Sequence, residues 1–242
     1  MGVLYDTEIL ADSPVGYWKL NETSGTTAYD SSGNGNNGTM VGSFTYGQPA
    51  PVPGESSLGF NGSNTQINFP NGMLGSSAYD NLTTEAWCYD NGIGTGTMAG
   101  TISGTSNGWF DIELNDGQVR WEARNASNAN NTTTNATFLH QWHYLVMTLD
   151  NGLPRAYLDG QLVWTSSANI GSIGPLNWSG SATTDQHGIG VWDGWFLGYL
   201  CRVAIYSAAL PTSRVLAHYW AAVHEGAAHP NMPMQIAATT TI

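Results

Sequence analysis

The chain has 242 residues, with 6 Lys or Arg against 18 Asp or Glu, so its net charge is −12 with histidine neutral. Nucleic-acid binding draws most of its free energy from cationic contacts to phosphates, so DNA and RNA are excluded as expected partners. Hydrophobic residues make up 41% of the chain, enough for a sizeable core, and no apolar run approaches the roughly 20 residues that cross a bilayer. We therefore expect one folded domain and no membrane partner.

The amino-terminal segment, MGVLYDTEIL, lacks the basic and apolar regions of a secretion signal. We therefore expect a protein made in the cytoplasm without a leader. Residues 1–9 carry little charge, and we expect them to add a strand to a neighbouring molecule or to lie along it.

Short aromatic or β-branched runs alternate with Gly, Asn, Ser and Thr, a pattern typical of an all-β sandwich. The clearest hairpin lies in Arg155–Trp164, where Asp159 and Gly160 can take the positive φ angles of a two-residue turn. Asn115–Gly117 and Asp150–Gly152 predict two further hairpins. Successive hairpins indicate mainly antiparallel pairing.

One helix is predicted near the carboxyl end, over residues 212–224. Thr212 or Ser213 is the expected N-cap. The apolar residues that repeat on one face of this helix are Val215, Leu216, Tyr219, Trp220 and Val223.

Two other segments lack periodicity. Residues 125–137 are almost entirely polar, which predicts either a long loop or a solvent-facing edge. Gly226 suits the end of the helix, so we expect a folded domain over residues 1–225 and an extended carboxyl-terminal arm over residues 226–242.

Four segments share the order and spacing of one known family. They are ADSPVGYWKLNETSGTTAYDSSGNGNNGT, LTTEAWCY, HQWHYLVMTLDNGLPRAYLDGQLV and FLGYLCRVAIYSAALPTSRVLAHY. Over about residues 9–220 this order resembles the laminin-G-like, or concanavalin A-like lectin/glucanase, superfamily, especially its pentraxin-like branch. The resemblance implies a two-sheet antiparallel jelly-roll sandwich with one short carboxyl-terminal helix.

Two phrases, ILADSPVGYWKL and AALPTSRVLAHYWAA, resemble laminin-G-like proteins of tailed bacteriophage particles. This resemblance implies a structural protein on the virion surface, either decorating the head or forming part of the tail. Its partners would be other virion proteins, bound through the two termini. We expect a homo-oligomer, and a trimer is our hypothesis for its oligomeric state.

Catalysis is testable from one strand, because glucanases of the resembled superfamily carry Glu-x-Asp-x-Glu on one face. The nearest string here is Trp109–Glu113, in which Trp109 takes the nucleophile's place. We expect Asp111 and Glu113 to lie on an ordinary solvated strand edge. The sequence therefore predicts no catalytic residue and no enzyme, and a glycoside hydrolase is the remote alternative.

Calcium is the one metal that the sequence suggests. Asp30, Asn34 and Asn36 offer the oxygen ligands that this ion prefers, in a loop that glycines let curl. The resemblance implies a further Asp on the closing strand, but Cys201 stands in its place and Arg202 follows. The alternative is a plain cluster of Asx turns with no cofactor.

Ten tryptophans suggest stacking against sugar rings. Those expected to be structural are Trp18, Trp87, Trp142, Trp164 and Trp220. The candidate carbohydrate-binding residues are Trp178, Trp192, Asp193 and Trp195. Packing in the core or between subunits is the alternative for all of them. A cell-surface glycan is thus a second candidate partner, and a glycan-binding adhesin is the main alternative function.

The two cysteines, Cys88 and Cys201, both lie on predicted strands. They form a disulfide if they are cross-strand neighbours, and otherwise remain free buried thiols.

Overall fold

A computed structural model of the chain describes residues 4–70, 72–75, 77–92, 96–103, 108–115, 118–125, 130–134, 140–174, 186–189 and 195–224. Within these ranges the strands form two antiparallel sheets, and two helices cover the outer face of one sheet. The predicted all-β, two-sheet antiparallel jelly-roll fold is confirmed. None of the described helices is long and apolar enough to cross a membrane.

The elements follow one another in this order along the chain. The first half contains α1 (Leu4–Ala11), β1 (Gly16–Trp18), β2 (Thr27–Ala28), β3 (Gly38–Val41), β4 (Thr45–Pro49), β5 (Ser56–Asn61), β6 (Gln66–Asn68), β7 (Leu82–Asp90) and β8 (Gly96–Ser103). The second half contains β9 (Gly108–Asn115), β10 (Gln118–Asn125), β11 (Asn130–Thr134), β12 (Trp142–Asp150), β13 (Leu153–Leu158), β14 (Gln161–Thr165), β15 (Gln186–Ile189), β16 (Leu197–Tyr206) and α2 (Thr212–Val223).

The strand order brings distant parts of the chain together. The first sheet runs β14-β13-β12-β7-β16-β5-β4, with β1 also paired to β16, and the second sheet runs β11-β10-β9-β8-β15-β6-β3-β2. In the first sheet β7 lies between β12 and β16, so that Tyr89 is paired with Trp142 on one side and with Tyr199 on the other. These three residues form the candidate site described below.

The main core fills the space between the two sheets. It is rich in aromatic and aliphatic residues from both layers, and Trp18 stacks on Phe69 with ring centroids 3.7 Å apart. Burying each such side chain contributes about 1.5–3 kcal/mol.

A second core lies between the first sheet and the helices. Its members are buried aromatic and small residues of both layers, including Tyr5, Ile9, Trp87, Tyr144, Tyr157, Tyr206, Val215 and Ala222. The outer face of this sheet is therefore a packed interface over much of its area.

The predicted hairpins are confirmed by strand pairing. Asp159 and Gly160 have φ angles of +50° and +77° between β13 and β14, and Asn151 has φ of +48° between β12 and β13. Asn115 is paired with Gln118 across β9 and β10, while residues 116 and 117 lie outside the described residues.

The polar segment 125–137 supplies an edge strand. β11 pairs with β10 at the end of the second sheet, which confirms the edge alternative for the part that the structure describes.

The amino terminus differs from its prediction. Residues 4–11 form helix α1 instead of an extended strand, and Tyr5 and Ile9 of this helix are fully buried in the second core. The prediction of an extended segment is therefore wrong for these residues, because their apolar side chains find an internal face to cover.

Helix α2 lies where it was predicted, but two of its details differ. Pro211 is the N-cap and makes no side-chain capping bond, so the prediction of Thr212 or Ser213 is wrong. Trp220 and Val223, which were predicted for the buried face, are 42% and 41% exposed. The buried face consists instead of Val215, Ala217, His218, Ala221 and Ala222.

Candidate functional site

The loop predicted to bind calcium is held by its own hydrogen bonds. The Asp30 carboxylate accepts from the backbone N–H of Tyr17 (3.0 Å), Ser32 (2.8 Å) and Asn36 (2.8 Å), and from the Ser32 hydroxyl (2.8 Å). The side-chain amides of Asn34 and Asn36 donate to backbone carbonyls of residues 14 and 15. This geometry is that of an Asx-turn cluster, and calcium binding stays a prediction.

The residue that stands in place of a metal-ligating Asp is a buried thiol. Burial raises the pKa of Cys201 to about 12. The adjacent Arg202 is fully buried, with Nη2 3.0 Å from Glu55 and Nη1 3.7 Å from Asp6. None of the guanidinium nitrogens makes a well-aligned hydrogen bond among the described residues, so the contact with Glu55 is an ion pair rather than a directed hydrogen bond.

The two cysteines are free. They lie on adjacent strands but on opposite faces, since Cys88 belongs to the main core and Cys201 to the second core. In β7 and β16 the partner of Cys88 is Leu200, and the partner of Cys201 is Trp87. A disulfide between these positions would have to pass through the sheet.

The glucanase-like string lies within the second sheet, on β9 between β8 and β10. Asp111 and Glu113 are buried, so the prediction of a solvated strand edge is wrong. On β10, Glu122 is the cross-strand partner of Asp111 and is also buried. Arg120, which is partly exposed, is ion-paired with both Glu113 and Glu122, and Asp111 also interacts with it electrostatically.

Of the four predicted carbohydrate-binding residues, only Trp195 lies within the described residues. Trp178, Trp192 and Asp193 lie outside the described residues. Trp195 is 37% exposed and lies two residues before β16, the strand that carries Tyr199. Its backbone passes the start of β8, where a Cβ on Gly96 would meet the Trp195 carbonyl carbon at 2.9 Å. The assignment of these four residues stays a prediction.

A cluster that the sequence analysis did not single out lies on the outer face of the first sheet. Tyr89, Trp142 and Tyr199, called here the aromatic triad, are all partly exposed. The ring centroids of Tyr89 lie 5.6 Å from Trp142 and 5.2 Å from Tyr199, and the other two rings are 6.4 Å apart. Trp142 packs against the second core, as its predicted structural position implies, but it is partly exposed rather than fully buried.

The aromatic triad begins where the helix layer ends. Two positions before Tyr89 on β7, Trp87 is buried and stacks against Tyr219 of α2 with centroids 5.8 Å apart. Two positions beyond Tyr89 in the other direction, Asn91 is exposed and its N–H donates to the Leu197 carbonyl at 3.2 Å. The helices therefore cover Trp87 and leave the aromatic triad partly exposed.

Polar groups border the aromatic triad at its open end. His140 is exposed, has a φ angle of +63°, and places its ring 6.4 Å from that of Tyr89. The backbone N–H of His140 donates to the backbone carbonyl of Asp90 at 2.8 Å. Burial raises the pKa of the Asp90 carboxyl above its usual value.

The family model for the concanavalin A-like lectin/glucanases superfamily matches residues 61–216, which is more than half of the chain. The chain belongs to this superfamily. No curated protein matches it. A metal-binding group of three or more His, Cys, Asp or Glu side chains does not occur in the part of this superfamily member that the structure describes.

Solved structures of low sequence identity share the fold. Domain 4 of AbnA, a GH43 extracellular arabinanase from Geobacillus stearothermophilus in complex with arabinotriose, has a TM-score of 0.62 at 22% identity, covering 86% of this chain and 98% of that one. The botulinum neurotoxin serotype D ligand binding domain in complex with N-acetylneuraminic acid has a TM-score of 0.62 at 15% identity, covering 89% and 52%. The receptor binding domain of the botulinum neurotoxin C/D mosaic serotype has a TM-score of 0.62 at 14% identity, covering 86% and 51%. The chain therefore spans about half the length of the toxin domains that it matches.

Proposed function

We propose that the chain is a non-catalytic, lectin-like module that binds a carbohydrate at the aromatic triad. The observation that carries this proposal is the partial exposure of three clustered rings, Tyr89, Trp142 and Tyr199, beyond the part of the sheet that the helices cover. A sugar ring presents an apolar C–H face that packs on an aromatic ring. Spacings of 5.2–6.4 Å form a compact surface that suits one sugar unit better than a long chain.

Hydrogen-bonding groups complete the proposed site. Sugar hydroxyls need donors and acceptors where they leave water. Asn91 and His140 are exposed beside the rings and can supply both. Trp195, which is 37% exposed, lies close to the start of β8 in the second sheet. Membership of a lectin/glucanase superfamily and a structural neighbour bound to arabinotriose support the proposal.

A glycan array tests this function with matched variants. We expect Tyr89→Ala and Trp142→Ala each to weaken binding about tenfold, because each removes one ring from the stack. Tyr29→Ala and Trp220→Ala are the controls, since these residues are of the same types and are 61% and 42% exposed outside the aromatic triad. Equal losses in the controls, or no loss in the triad variants of folded protein, would contradict the proposal.

The glucanase-like string on β9 of the second sheet lacks the carboxyl pair that catalysis would need. A retaining glycosidase needs two carboxyl groups that face the scissile bond about 5–5.5 Å apart. Here Trp109 occupies the nucleophile's place, and the nearby Asp111 and Glu113 are buried next to Arg120. We expect no reducing sugar to be released from any glycan that the protein binds. Release that Glu113→Gln abolishes would establish a hydrolase instead.

We further propose that this module is carried on the surface of a bacteriophage particle, as head decoration or as a tail component. The support is the sequence resemblance of the ILADSPVGYWKL and AALPTSRVLAHYWAA segments to laminin-G-like phage proteins. Attachment would use residues 226–242, and a homo-oligomer, with a trimer as the guess, stays a prediction. Glycan binding and a virion location are compatible, because the first concerns the exposed module and the second its attachment.

Truncation of the carboxyl-terminal arm tests the location. We expect a chain ending at Glu225 to keep the far-ultraviolet circular dichroism of the full protein and to bind glycan, but to be missing from particles purified by density gradient. Normal occupancy of particles by the truncated protein would overturn attachment through the arm.

A further inference from the structure

We infer that the ligand of the aromatic triad is an uncharged saccharide, and that glycans bearing carboxylate, sulfate or phosphate groups are excluded. This inference rests on the proposed carbohydrate binding and adds the chemical class of the ligand. It is based on the number of Lys and Arg side chains in the molecule and on the contacts that these side chains make.

Recognition of an anionic sugar needs a cationic or strongly donating group at the site. The chain has 6 Lys or Arg against 18 Asp or Glu, and all six basic residues lie within the described ranges. Five of them are ion-paired with Asp or Glu, and the shortest N···O distances of Lys19, Arg155, Arg202 and Arg214 are 2.5–3.0 Å. The sixth, Arg124, lies 4.9 Å from the centroid of the Trp109 ring.

These basic side chains are also poorly accessible. The five in ion pairs are at most 30% exposed, and Arg202 is fully buried. Three of the five, Lys19, Arg202 and Arg214, hold acidic residues of α1 or of the turn that follows it. An anionic ligand would have to remove a cation from a structural partner, which leaves a carboxylate without its counter-charge.

The net charge of the protein reinforces the exclusion. The ion pairs described above hold five of the basic side chains against Asp or Glu. A ligand carboxylate would therefore approach a protein that carries 12 excess acidic residues.

An array of neutral and acidic glycans tests the inference on the full chain. At about pH 8, where an ordinary imidazole is neutral, we expect every retained glycan to be neutral. At about 0.05 M NaCl we expect sialylated or uronic-acid glycans to bind at least about tenfold more weakly than their neutral counterparts. Binding of the neutral glycans should change little with salt.

A gain of charge at the site provides a matched comparison. Asn91→Lys places a cation beside the rings, and we expect it to raise the binding of acidic glycans about tenfold relative to the binding of neutral ones. Ser24→Lys makes the same change in net charge at another exposed position and should leave both unchanged. If both variants raised the binding of acidic glycans equally, the gain would come from net charge rather than from a cation at the triad, and the inference would be overturned.

The outcomes separate the two proposals. If the wild-type protein binds acidic glycans at low salt and releases them at high salt, the inference is overturned and carbohydrate binding survives. If no glycan is retained and the triad variants behave like wild type, carbohydrate binding fails and the inference falls with it. Retention of neutral glycans alone, abolished by Trp142→Ala, supports both.

Discussion

A single buried histidine connects the two helices with the first sheet. Nδ1 of His218 lies 3.0 Å from the Glu85 carboxylate of β7, and Nε2 lies 2.9 Å from the Asp12 carboxylate that follows α1. A carboxylate offers only acceptors, so both ring nitrogens must donate and the imidazole must be protonated. The hydroxyls of Tyr144 and Tyr206 also donate to Glu85.

The protonation of His218 gives the fold a pH dependence. Burial alone lowers the pKa of His218, but Glu85 and Asp12 reverse this effect and leave the pKa above its usual value. The group therefore contributes its full stability below the ordinary histidine pKa, and that contribution is lost as the pH rises through the folded-state pKa. The free energy of unfolding should fall with rising pH in this range.

Replacement of this histidine tests the connection. We expect His218→Leu to lower the free energy of unfolding by about 3–5 kcal/mol near neutral pH, because Glu85 and Asp12 lose a buried counter-charge. Denaturant titrations from about pH 6 to pH 9 should lose the His218-dependent slope. His224→Gln, at the end of the same helix, is the control and should keep both stability and slope; a variant His218→Leu with an unchanged slope would refute the assignment.

Among the elements, α1 depends most on its surroundings. An isolated helix of 8 residues is marginal in water. Here Tyr5 and Ile9 fill the second core, and the Asp6 carboxylate binds the Tyr17 hydroxyl at 2.5 Å and the Lys19 ammonium at 2.5 Å. Packing and buried charge, rather than local propensity, therefore decide that this segment is helical.

Two acidic residues of α1 allow a matched test of this dependence. Asp6 is buried, so we expect Asp6→Asn to cost about 3–5 kcal/mol, since it leaves the buried Arg202 and Lys19 undercompensated. Glu8 forms a pair with Arg214 in which both side chains are 30% exposed, and Glu8→Gln should cost about 0.2–1 kcal/mol. Equal losses in urea denaturation would show that burial of the charge is not the cause.

At the scale of the whole molecule, three packed layers decide which surfaces remain open. The two sheets enclose the main core, and the helices cover the first sheet as far as Trp87 and Tyr144. The aromatic triad lies beyond this cover. The same layering places Cys88 and Cys201 on opposite sides of one sheet, which resolves the alternatives left open by their positions in the sequence.

Local sequence patterns determine the hairpins and the position of α2 without reference to tertiary contacts. Paired turn residues such as Asp159 and Gly160 fix hairpins, because positive φ angles suit few residues. The ordered motifs predicted the superfamily, the antiparallel sandwich and the position of α2. The hairpins and α2 depend on neighbours within a few residues of one another, so the local sequence is sufficient for them, whereas the superfamily was implied by the resemblance of motifs spread along the chain.

The tertiary structure alone decided the faces and the site. The apolar residues of α2 predicted Trp220 as buried, but the helix turns Ala217, His218 and Ala221 towards the sheet. Tyr89, Trp142 and Tyr199 come from three strands distant in sequence and meet through the strand order β12-β7-β16. Exposure and proximity depend on which layers stack and where the covering layer stops, and no local pattern records either.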